Sequence, residues 1–183
     1  TPEMLSLDTM TFAPGPEMTN PRFWCGAVAL DEHRFMVAGG ESGSERLNTT
    51  EVLDIRTMSF ALGPSMSSSR VGCAAVAVDA QHVLVIGGAD SASAALATTE
   101  LLDVATMQFS PGPAMQGGRC VCTAVRVDVA EEEPRVIVIG EVTAPTRDSD
   151  EEEEEEENSC LSTTEVLAVG DQREARAPRF RRL

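Results

Sequence analysis

Hydrophobic positions fall in short runs that repeat in a fixed order. Cys25 to Leu30 is apolar throughout, with Cys25, Ala27 and Ala29 on one alternate face and Gly26, Val28 and Leu30 on the other. Successive side chains of a strand point to opposite faces, so an apolar run with both faces apolar predicts a strand covered on both sides. A second run (Phe35–Ala38, Val83–Ile86, Val136–Ile139) is short, β-branched and closed by glycine. The link between the two runs, Asp31-Glu32-His33 or Asp79-Ala80-Gln81, is short enough for a hairpin. A third segment (Thr49–Ile55, Thr98–Val104, Thr163–Val169) alternates with more polar character, and a fourth centres on a phenylalanine and ends at Gly-Pro. Proline cannot donate to a ladder, so Gly-Pro marks the end of pairing. These four strands are called A, B, C and D.

The unit recurs with one phase. Arg22, Arg70 and Arg119, then Cys25, Cys73 and Cys122, then Phe12, Phe60 and Phe109 each step by 48 and 49 residues. The Gly-Pro pairs at Gly15, Gly63 and Gly112 and the methionines Met18, Met66 and Met115 keep the same steps. A fixed period of this length marks a repeat architecture, and a four-stranded meander strung at that period predicts an all-β propeller. The small A strand is expected innermost. The chain holds the outer strands of one blade (3–18), blades at 22–66 and 70–115, and a partial blade at 119–169. That is about three and a half blades, expected to belong to a larger ring, with self-association as the consequence of an incomplete one. A dinucleotide-binding reading of Val83–Gly88 fails, because eight residues between Gly40 and Thr49 leave no room for a crossover helix.

Charge changes the picture only in the last repeat. The net charge is −16, and residues 131–157 carry 13 acidic against 2 basic groups. The B–C connection there grows to 21 residues, 141–161, including Glu151 to Glu157. Such a run is expected to be solvated and disordered, as is the basic tail 170–183. The folded repeats show no basic stripe for nucleic acid and no run of membrane-spanning length. All basic residues are arginine, and tyrosine is absent. Cysteines at equivalent repeat positions rarely pair, so a reducing, cytoplasmic compartment is favoured.

The unit resembles a kelch repeat. The matching marks are Arg22, Arg70 and Arg119 before strand A, and Gly39-Gly40 and Gly87-Gly88 closing strand B, with a half-match at Gly140-Glu141. Kelch repeats place a tyrosine in the third strand and a tryptophan seven residues on; here Leu53/Phe60 and Leu102/Phe109 stand in. The resemblance implies a protein–protein interaction module, possible adaptor use, and a partner site on the face of the D–A and B–C loops. On that basis Asn20, Arg22, Ser67, Ser68, Ser69, Arg70, Gln116 and Arg119 are the candidate binding residues. Structural roles are expected for Gly39, Gly40, Gly87, Gly88, Gly140, Phe12, Phe60, Phe109, Glu51, Glu100 and Glu165. The recurring glutamates and arginines suggest a buried ion pair in each repeat, since an unpaired buried charge is costly.

Enzymatic candidates are weak. Kelch-like propellers of the galactose-oxidase type use tyrosine ligands, which this chain lacks, and no P-loop, nucleophile elbow or zincin motif is present. The alternative is a piece of a catalytic propeller with its active residues elsewhere. Cys25, Cys73 and Cys122 could converge on a soft metal, but cysteine also serves as a small buried apolar residue, and no cofactor or metal is expected. His33 and His82 sit in A–B turns, one position out of phase, as surface residues would.

Overall fold

A computed structural model describes residues 2–128, 132–142, 164–168 and 180–182. Every regular element in it is a strand. The chain begins with a hairpin, β1 (Glu3–Ser6) and β2 (Thr11–Pro14). Sheet I follows, from β3 (Gly26–Ala29), β4 (Arg34–Ala38), β7 (Thr50–Asp54) and β8 (Ser59–Leu62), with a small ribbon, β5 (Glu41–Ser42) and β6 (Glu45–Arg46), between β4 and β7. Sheet II is β9 (Ala74–Ala77), β10 (His82–Ile86), β11 (Thr99–Asp103) and β12 (Gln108–Pro111). Sheet III is β13 (Arg119–Val127), β14 (Arg135–Val142), β15 (Thr164–Ala168) and β16 (Phe180–Arg182). Each sheet is antiparallel and ordered as in the chain.

The turn chemistry explains why each hairpin forms where it does. In the A–B turns Asp31 Oδ1 accepts the N–H groups of His33 and Arg34, and Asp79 Oδ1 those of Gln81 and His82. A short carboxylate folded onto its own backbone fixes the reversal. The seven-residue spacing of Leu53 and Phe60, and of Leu102 and Phe109, makes them direct cross-strand partners. In sheet III the same register joins Leu167 to Phe180.

Sheets stack face to face through two apolar cores. Between I and II lie Leu30, Met36 and Ala38 against Val83, Val85 and Leu102, with Phe109 packed alongside. Between II and III lie Val76, Leu84 and Ile86 against Val136, Val138 and Leu167. Strand β9 lies beside both β3 and β13. These A strands line one cavity of about 240 Å³, walled by Cys25–Ala27, Cys73–Ala75 and Cys122–Ala124. Their small side chains permit that approach: a Cβ built on Gly26 would lie 3.2 Å from the Ala75 Cβ.

Two expectations change. The tail was expected to be disordered, yet residues 180–182 form β16 and give sheet III its fourth strand. The acidic insert was expected to start at Glu141, yet β14 runs through Val142, paired to Arg119; the rest of the insert and of the tail lies outside the described residues. Phe12 takes the repeat position of Phe109 but is 67% exposed, because among the described residues β1 and β2 pair only with each other.

Candidate functional site

Each repeat arginine follows a D–A loop and turns inward beneath it. The Arg70 guanidinium reaches Gly87 O (2.8 Å), Thr98 O (2.9 Å), Thr98 Oγ1 (3.1 Å) and Glu100 Oε1, the last from both Nε and Nη2 at 3.1 Å. All five N–H groups are thereby used. Arg22 repeats the pattern with Gly39 O (2.9 Å), Thr49 O (3.0 Å) and Glu51 Oε1 (2.8 Å). Its Nε is buried without a partner among the described residues. The glutamates bind the loop in turn. Glu51 accepts the Thr19 and Asn20 N–H groups at 2.7 and 3.0 Å, and Glu100 that of Ser67 at 2.7 Å. Arg119 is fully buried and donates to Gly140 O at 3.0 Å; the Glu165 side chain lies outside the described residues.

This corrects the candidate list. Arg22, Arg70 and Arg119 are all buried and cannot present their charge to a partner. Arg22 and Arg70 tie strand C, the end of strand B and the preceding loop together, and Arg119 reaches the end of strand B. Ser67 and Gln116 are exposed, and Asn20, Ser68 and Ser69 half-buried. These five belong to the three D–A loops, at the sheet ends where the arginines sit.

Sequence reasoning passed over the aromatic part of this face. Phe23 and Trp24 are 46% and 63% exposed and meet edge to face, with centroids 5.3 Å apart. Val121 is 62% exposed. Together with Gly72 and Ile139, Trp24 and Val121 line a concavity over the A strands. Trp24, Gly72 and Val121 share one repeat position and one left-handed backbone, with φ of 54°, 68° and 48°. Only glycine adopts that conformation without a steric penalty. The available signal was Gly72 itself: a glycine in phase with a tryptophan and a valine.

Chemistry beyond binding is sparse. Among the described residues, no group of three or more His, Cys, Asp or Glu is placed to hold a metal ion. The thiols of Cys73 and Cys122 are buried or half-buried and donate to backbone oxygens of Ala38 and of Gly72 and Ile86. Burial pushes the Cys73 pKa up to about 11 and raises those of Cys25 and Cys122. Because the thiolate is the nucleophile, a disulfide reagent at mildly alkaline pH is expected to spare Cys73 in the native protein and modify it after urea unfolding. Labelling of native Cys73 at the unfolded rate would contradict this placement. His82 Nδ1 lies 2.8 Å from Asp79 Oδ2 in an A–B turn.

Glu51 gives the site a pH dependence. Burial opposes its ionisation, but the hydrogen bonds from Arg22, Thr19 and Asn20 and the charge of Arg22 outweigh it and lower the pKa below 4.5. A depressed carboxylate stabilises the fold above its unfolded pKa and loses that contribution as pH falls through its folded value. Stability measured by urea unfolding is therefore expected to fall off below pH ~4.5, and Glu51→Gln to remove part of that fall. An unchanged acid profile in Glu51→Gln would show that the pair does not set it.

Among the described residues no helix is long and apolar enough to cross a membrane. No protein-family model matches the chain, and comparison with curated proteins found no match.

Proposed function

We propose that this chain is a segment of a kelch-type β-propeller whose D–A and B–C loop face takes up another protein. The repeat phase, the stacking of consecutive four-stranded meanders and the convergence of three A strands on one cavity support the ring reading. One observation carries the binding reading: large apolar side chains, Phe23, Trp24 and Val121, stand exposed beside the D–A loops, among polar loop residues such as Thr19, Ser67 and Gln116. Aromatic residues are enriched where proteins meet, and strained backbone that persists at an exposed position points to use. The arginines stabilise the loops from beneath and leave recognition to the loop tips and this apolar rim. Strand β14 ends at Val142 and β15 begins at Thr164 at this same end of sheet III, and the sequence between them is acidic.

A photo-crosslinking side chain at Gln116 tests this. It is expected to capture a discrete protein, whereas the same group at Thr57, in an exposed C–D turn at the opposite sheet ends, captures none. The captured protein, once purified, is expected to bind Trp24→Ala at least about tenfold more weakly. Equal capture from both positions, or unchanged affinity, would remove the loop face as the site.

A further inference from the structure

Trp24 departs from the alternation that strands impose. Successive side chains of an extended strand point to opposite faces, yet Phe23 and Trp24 meet edge to face with centroids 5.3 Å apart. The left-handed backbone at Trp24, φ 54°, brings them together. A bulky residue held in that conformation costs free energy, and the outcome here is a pair of exposed rings in contact. Trp24 also walls a concavity of about 330 Å³ that draws on all three sheets, with Gly72, Val121, Ile139 and Gly140.

A carboxylate stands beside the rings. The Phe23 N–H donates to the Glu41 carbonyl (3.1 Å), and the Glu41 N–H donates to the Phe23 carbonyl (2.9 Å), in an isolated antiparallel bridge. Directly opposed residues project their side chains to the same side, so Glu41 lies next to the Phe23 ring. The same register sets Glu141 opposite Cys120 in sheet III, and Ala89 opposite Val71 in sheet II.

Charge on this face is one-sided. In its described loops Glu17 and Glu45 are exposed, Glu41 and Asp90 half-buried, and none of the four makes an ion pair among the described residues. Arg22, Arg70 and Arg119 are buried beneath them. Arg46 is half-buried and donates to the Asp90 carbonyl. At the opposite sheet ends, by contrast, Asp31, Asp54, Asp128 and Glu132 are each paired with an arginine. Carboxylates without a counter-charge around an apolar rim favour a cationic partner and disfavour an anionic one.

We infer that the docking protein presents an arginine-bearing basic segment to this face. Its guanidinium stacks on the Phe23–Trp24 pair and pairs with Glu41, while its aliphatic stem lies against the apolar rim. Arginine suits both contacts, because its planar cation stacks on aromatic rings and takes a carboxylate bidentately, whereas lysine offers a point charge. The inference rests on the loop-face reading and specifies the chemistry of what docks there.

Trp24 is the single tryptophan of the chain, so its emission reports on the site directly. Titration of the full chain with a capped heptapeptide alternating glycine and arginine is expected to change that emission and to saturate. The matching citrulline peptide keeps the shape without the charge, and is expected to bind at least about tenfold more weakly. Glu41→Gln is expected to weaken the arginine peptide about tenfold. It should leave the urea midpoint unchanged, because the Glu41 carboxylate has no ion pair among the described residues. A variant lacking residues 146–159, which include Glu151 to Glu157, is expected to keep this dependence on Glu41. Unchanged emission, equal affinity of the citrulline peptide, or wild-type affinity in Glu41→Gln would overturn the inference. A protein captured at Gln116 that the arginine peptide fails to displace would overturn it while leaving the loop-face reading intact. Absence of any capture would remove both.

Discussion

Replacing Arg70 by alanine is expected to lower stability by about 3–5 kcal/mol, the range found when one partner of a buried ion pair is removed. The guanidinium is 1% exposed and satisfies two carbonyls, a hydroxyl and a carboxylate. Its loss leaves Glu100, itself 4% exposed, as a buried charge held, among the described residues, only by the Ser67 N–H. The Gly87 carbonyl loses its arginine donor, and the Thr98 carbonyl keeps only the Gly87 N–H, where water cannot easily take the guanidinium's place. Removing Glu100 as well is expected to restore part of the loss, because the uncompensated charge goes with it. The coupling in the Arg70→Ala/Glu100→Ala cycle is expected at about 0.5–3 kcal/mol. Arg56, whose pair with Asp54 is largely exposed, serves as the contrast: its removal should leave the urea midpoint in place. An Arg70→Ala variant with the wild-type midpoint would show that this cluster contributes nothing.

The second large effect is expected at Gly87, where alanine should destabilise by about 2–5 kcal/mol. Two costs combine. The residue sits at φ +62°, and a Cβ built on it would lie 2.5 Å from the Arg119 carbonyl. That carbonyl also receives the Gly88 N–H, so it cannot retreat without breaking the stitch between sheets II and III. Gly39 stands in the same relation to the Arg70 carbonyl. Gly43 separates the two costs. It has φ +64° with open space around it, so Gly43→Ala should show only the conformational penalty, about 1–2 kcal/mol. Equal losses at Gly87 and Gly43 would mean that sheet contact adds nothing.

Strand positions were legible because several independent marks agreed. Period-two apolarity, the glycine pair and the Gly-Pro stop bounded strands A to D to within about one residue in sheets I and II, and the recurring Arg and Glu implied a contact that the structure contains as Arg22–Glu51 and Arg70–Glu100. The placement of those arginines among partner-facing residues failed for a simple reason: a chain does not say whether an arginine beside a loop points out or beneath it. Only the glutamate in the same phase hinted at the answer. Strand β16 was hidden because the tail breaks the period. Leu167 and Phe180 are cross-strand partners, but they are 13 apart rather than the seven that marks Leu53/Phe60. The Trp24 position was hidden by identity, since tryptophan and valine do not advertise a left-handed backbone.

Nearest-neighbour stacking has a consequence for how this molecule comes apart. Among the described residues, sheet II alone has an apolar core on both faces, and β10 holds Val83 to Ile86 at 0–1% exposure. In a linear array, units at the ends lose half of their interfacial stabilisation and open first. Native-state amide exchange should then form a gradient, fastest in β1 and β2, intermediate in sheets I and III, and slowest in β10. Unfolding becomes a fraying from both ends toward a central kernel, and its cooperativity reports how firmly the glycine stitches couple one sheet to the next.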